Sequence, residues 1–106
     1  MTDQIANPAR GEAAIVVGGE TLMLRPSFAA LVAAEGELGP LFTLVERAVA
    51  GGLTLGEMAG LFWHCVESDA RPSRAAVGEA VVAMGLARCA PVLRVVLGQV
   101  LAGVGE

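Results

Sequence analysis

The sequence predicts an α+β fold, mostly α: an N-terminal β-hairpin followed by about five short helices in a compact bundle. Three observations carry this. Two β-prone runs flank a Gly-Gly pair near the start, the apolar period then changes from two to 3.6 at Pro26-Ser27, and glycines punctuate the remainder at intervals suited to short helices. No fixed repeat and no low-complexity linker divides the chain. The expected organisation is a flexible lead-in at 1–10 and one domain over 11–106.

The hairpin comes first. "EAAIVV" and "ETLMLR" surround Gly18-Gly19, and glycine takes the positive φ that a two-residue turn demands. That turn fixes the register: Val17 faces Glu20, Ile15 faces Leu22, Ala13 faces Leu24, and Glu12 meets Arg25. An exposed pair of this kind contributes only about 1 kcal/mol or less, so it marks register more than it holds the fold. Two strands alone are marginal in water, so one face must lie on the helices or join another sheet.

Pro26 ends the ladder and Ser27 can cap a first helix that carries Phe28, Leu31, Val32 and Leu38 on one stripe, up to Gly39-Pro40. A second helix over about Leu41 to Ala50 presents Leu41, Leu44, Val45, Ala48 and Val49. The strongest cap follows. Thr54 and Glu57 have capping-box spacing and Leu53 with Met58 has staple spacing, which predicts a helix from Leu55 to about Glu67. Ser73 starts a fourth helix with Val77, Ala80, Val81 and Met84 inward and Gly85 at its end. Pro91 suits a first-turn position, so the last helix is expected to begin there, with Leu93, Val96, Leu97, Val100, Leu101 and Val104 as its stripe.

Composition narrows the function. A chain of 106 residues buries roughly 60 to 65% of its unfolded surface, yet 55% of its residues are apolar, 17% are charged and mean hydropathy is +0.65. That is more apolar side chain than a small core comfortably hides, and the excess predicts a surface for another polypeptide or a second copy of the chain. With a net charge of −4 and no basic stripe, nucleic-acid binding is not expected. The opening has no signal-peptide pattern, and "CAPVLRVVLGQVLAGV" is broken by Pro91, Arg94 and Gln99 before the ~18 apolar residues a membrane span needs. A cytoplasmic protein with reduced cysteines is the expectation.

No cofactor or metal is expected, and no enzyme. His64 is the one histidine, Cys65 beside it on a helix faces elsewhere, and the carboxylates are scattered. Glu35 stands out because it falls two turns after Phe28. Its first reading is a structural contact to Arg25, to Arg47 or to the N-terminus of the next helix, its second a polar contact at a protein interface; a catalytic acid comes last. Trp63 falls off the Leu55, Met58, Phe62 and Cys65 stripe and is a candidate interface anchor. Together with Leu97 and Leu101 of the last helix, Trp63 and Glu35 are the candidate partner-binding residues, with a groove expected between the last two helices and Trp63.

"NPARGE" at residues 7 to 12, followed by "LRPSFAALVAAEGELG" at 24 to 39, resembles the family of tail assembly chaperones encoded among the tail genes of gene transfer agents and prophages. The matching positions are Asn7, Pro8, Arg10, Gly11, Glu12, Gly19, Leu24, Arg25, Ser27, Phe28, Glu35, Leu38 and Gly39. The resemblance implies a protein that binds the tape-measure protein, a long helical ruler, and helps tail tube subunits assemble around it. Members are also described as tail tube components, which implies the alternative of a structural part retained in the particle.

Overall fold

The Gly18-Gly19 turn forms as its sequence demands, with φ of 59° and 82°. It joins β1 (Ala13–Val17) to β2 (Glu20–Leu24), antiparallel, with Ala13 opposite Leu24, Ile15 opposite Leu22 and Val17 opposite Glu20. A computed structural model supplies the structure and describes residues 12–66 and 71–102, with side chains as far as Gly98. The expected lead-in at 1–10 and the side chains of Val100, Leu101 and Val104 lie outside the described residues.

Among the described residues the two strands make a two-stranded sheet. Their inner face, carrying Ile15, Val17 and Leu24, is laid on the helical body, so the hairpin gains the cover that an isolated one lacks. Glu12 does reach Arg25, Oε2 to Nε at 3.0 Å, but it is buried where the sequence suggested an exposed pair. A carboxylate withdrawn from water needs such a partner, so the pair is part of the core's edge.

Among the described residues five helices follow: α1 (Phe28–Leu38), α2 (Leu41–Val49), α3 (Leu55–Cys65), α4 (Arg74–Met84) and α5 (Leu86–Ala102). Ser27 and Ser73 accept from the amides of Ala30 and Ala76, and Thr54 with Glu57 closes the complete capping box. Central α3 packs against α1 and α4 and buries Met58, Leu61, Phe62 and Cys65, while Val77, Val81, Val96 and Cys89 fill the space beside it.

Three further expectations fail for definable reasons. Helix α3 ends at Cys65, short of Glu67, because Val66 turns extended to bridge Leu24 and the Cys65 carbonyl accepts from Arg25 N at 2.8 Å. Helix α5 begins at Leu86, before Pro91. Gly85, at φ 86°, reverses the chain as α4 stops, and its carbonyl at once accepts from Arg88 N and Cys89 N, both at 3.1 Å. Pro91 fits inside because its fixed φ is helical and the carbonyl it fails to serve belongs to exposed Ala87.

The third failure concerns α1. Phe28 is 84% and Val32 48% exposed, whereas Ala34 is fully buried. The inward stripe is Ala30, Ala34 and Leu38, at intervals of four. Small residues win there because α1 lies close to α3: a Cβ on Gly60 would come within 3.4 Å of a Leu38 methyl. Phe28, Val32 and Glu35 are left together on the outer face.

Candidate partner-binding surface

Helix α2 carries apolar side chains on more of its circumference than one core contact can use. Leu44 and Val45 are buried, but Phe42 and Val49 are 78% and 83% exposed. Phe42, Val45 and Val49 are spaced i, i+3, i+7 and therefore form one stripe along the helix. Where this stripe meets α5 there is a groove of about 500 Å³ walled by Val45, Ala48 and Val49 on one side and Ala90, Leu93 and Leu97 on the other. Gly98 also lines it, and exposed Arg94 supplies a charge. Leu97, a sequence candidate, sits low in the wall at 5% exposure. The helix continues through Leu101, whose side chain lies outside the described residues.

Glu35 reaches the beginning of α2. Its Oε2 accepts from Leu41 N at 3.0 Å across the Gly39-Pro40 corner, where α1 and α2 meet at 78°. Pro40 has no side-chain donor or acceptor for the cap, so the Glu35 carboxylate takes that task and places negative charge at a helix N-terminus. This is the first of the readings weighed for Glu35, in its helix-terminus form. Through that bond Glu35 orients the helix that exposes Phe42 and Val49.

Trp63 stands apart from the groove. Its Nε1 donates to the Pro72 carbonyl at 2.8 Å, the Arg71 and Arg74 guanidinium carbons lie 4.6 and 4.7 Å from its ring centroid, and the His64 ring meets it edge-on. Arg74 also donates to Glu37, with Nη1 2.7 Å from Oε2, and His64 Nε2 is 2.8 Å from Glu37 Oε1. The ends of α1 and α3 and the start of α4 are thus tied together around one half-buried ring. Trp63 is clad by cations here, and among the described residues a separate groove lies between α2 and α5.

The Arg74 hydrogen bond, followed by that of His64, lowers the Glu37 carboxyl from an ordinary 4.5 to about 2, and Glu37 in turn raises Arg74. A carboxyl depressed on folding contributes stability above its unfolded value and loses it as pH falls through the folded one. Wild type and a Glu37→Gln variant are therefore expected to differ in urea midpoint at pH 6, and the difference should shrink as pH falls from 4.5 to about 2. A constant offset across that range would show that the ion pair does not hold these helix ends.

The remaining chemistry is subdued. Cys65 and Cys89 are free and buried, and burial pushes the Cys65 thiol up to about 12 and raises Cys89 as well. Neither is a ready nucleophile. Among the described residues no group of three or more His, Cys, Asp or Glu side chains is placed to hold a metal ion, and no single helix is long and apolar enough to cross a membrane.

Sequence reading missed Phe42 and the share of α2 in the groove. The available signal was the second apolar stripe of α2, Phe42-Val45-Val49, running beside the one formed by Leu41, Leu44 and Ala48. No curated protein and no solved structure matches the chain. A family model described as "Phage tail tube protein, GTA-gp10" matches residues 10–103, nearly the whole chain and well beyond the first forty residues that carry the resemblance. The chain belongs to that family of phage and gene transfer agent tail proteins.

Proposed function

We propose that this protein is a tail assembly chaperone: a non-enzymatic binder that holds segments of the tape-measure protein and assists tail tube subunits in assembling around it. The observation that carries this reading is the open apolar groove between α2 and α5, with Phe42 and Val49 left in solvent beside it. Such a groove suits the apolar face of an amphipathic helix, which docks through side chains at i, i+3, i+4 and i+7. A long helical ruler offers that face many times over. Its work would be done in the cytoplasm, before the particle is complete.

A structural tube component is the second reading, favoured by the description of the family as tail tube proteins. Two experiments separate them. Coexpression with the tape-measure protein should keep the ruler in the supernatant and copurify it; a ruler that stays insoluble at matched expression defeats the chaperone reading. Mass spectrometry of purified particles should find the protein depleted, whereas recovery in fixed stoichiometry with tube subunits would favour the component.

A further inference from the structure

The groove does not use the hairpin, and the hairpin has an edge of its own. In a two-residue turn the closing pair, Val17 and Glu20, exchanges hydrogen bonds, and bonded pairs recur at every second position. Ala13, Ile15 and Val17 therefore spend their backbone groups on β2, while the N–H and C=O of Ala14 and Val16 point away from it. Among the described residues no backbone hydrogen bond reaches them. The outer edge of β2 is different, because the Leu24–Val66 bridge occupies it.

Free edges normally carry a deterrent such as a charge, a proline or a bulge. β1 reads AAIVV, pairs without interruption, and exposes Ala14 and 53% of Val16 on its outer face. The edge opens on a cleft of about 360 Å³ bounded by Ala80, Ala83, Met84 and Arg88, which leaves room alongside the strand.

The geometry points to a second copy of this chain as the occupant, adding its own β1 antiparallel about a two-fold axis through Ile15, so that the two hairpins form one continuous sheet. The edge is its own complement in this register. Ala14 of each copy faces Val16 of the other, and each such pair exchanges both of its hydrogen bonds, which uses the outward groups of both strands. Charge agrees with this alignment. Glu12, next to the first residue of β1, falls opposite Gly18 of the second copy, so the two Glu12 carboxylates do not meet across the strands.

Analytical ultracentrifugation of the full chain over about two decades of concentration tests the proposal, since mass action makes a dimer concentration-dependent. Wild type and Val16→Thr are expected to dimerise. Val16→Pro removes an outward N–H without touching the β1–β2 ladder, and Val16→Lys places a charge on the edge; each should weaken dimerisation about tenfold or more. Should the proline variant fail to fold, the lysine variant carries the test, with a native circular dichroism spectrum and a melting temperature equal to that of wild type at dilutions where both are monomers as its control. Oxidation of mixed Ala14→Cys and Val16→Cys chains should cross-link them faster than either alone. A wild type that stays monomeric, or a dimer that Val16→Lys leaves intact, overturns the proposal. A monomer whose partner capture is lost in Val16→Lys also overturns it, and assigns the edge to a strand from another protein.

Discussion

A Phe62→Ala variant is expected to lose about 3 to 5 kcal/mol of stability, the usual cost of emptying a buried aromatic site. Phe62 is fully buried in α3, between the helices on either side, and belongs to the same core cluster as Ile15 and Leu24 of the hairpin. A cavity there cannot be filled by one neighbour's movement, because the side chains around it come from several elements. For a domain of this size the melting temperature should fall by about 15 °C or more. The matched control is Phe42→Ala, the same chemical deletion at a site 78% exposed, which should move the melting temperature by only about 4 °C or less. Similar losses in the two variants, measured by circular dichroism, would mean that Phe42 is core and the outer face of α2 is not a free surface.

The second large effect is on partner capture. Val49→Lys changes a side chain that is 83% exposed, at the end of α2, where a cation suits the helix dipole. Its folding stability should therefore stay within about 0.5 kcal/mol of wild type. Val49 nevertheless walls the groove, and a docked apolar helix would have to bury the ammonium group. Losing one well-packed interface contact costs about 2 kcal/mol or more, close to thirtyfold in affinity. Pull-down of the tape-measure protein should drop accordingly while the variant itself stays folded. Unchanged capture would move the binding surface elsewhere, with the Phe28 and Val32 face of α1 the next to be tested.

The contrast between these two phenylalanines shows what was legible in the sequence. The hairpin register was readable because a Gly-Gly turn of two residues permits only one alignment of the flanking strands. The capping box was readable because Thr54 and Glu57 act on backbone atoms within their own turn. Glu35 was half readable: its spacing marked it as a carboxylate needing a donor, and the amide of Leu41 is one of the donors that spacing allowed. What failed depended on tertiary contact. Nothing local says that α1 must approach α3 closely enough at Gly60 to prefer alanines over Phe28. Pro91 looked like a helix start, yet Gly85 had already provided one. The cations over Trp63 were not legible either, since Arg71 and Arg74 lie eight and eleven positions later in the sequence. The groove exists only because α5 lies beside α2, a proximity that no periodicity encodes.

Calorimetric titration of a soluble amphipathic segment of the tape-measure protein into this protein, repeated at several temperatures and salt concentrations, reads the chemistry of the contact directly. Burial of apolar surface between α2 and α5 should appear as a clearly negative heat-capacity change with an affinity that salt hardly alters. Binding with no such change, and with an affinity that falls steeply as salt rises, would assign recognition to surface charges and contradict a role for the exposed apolar side chains.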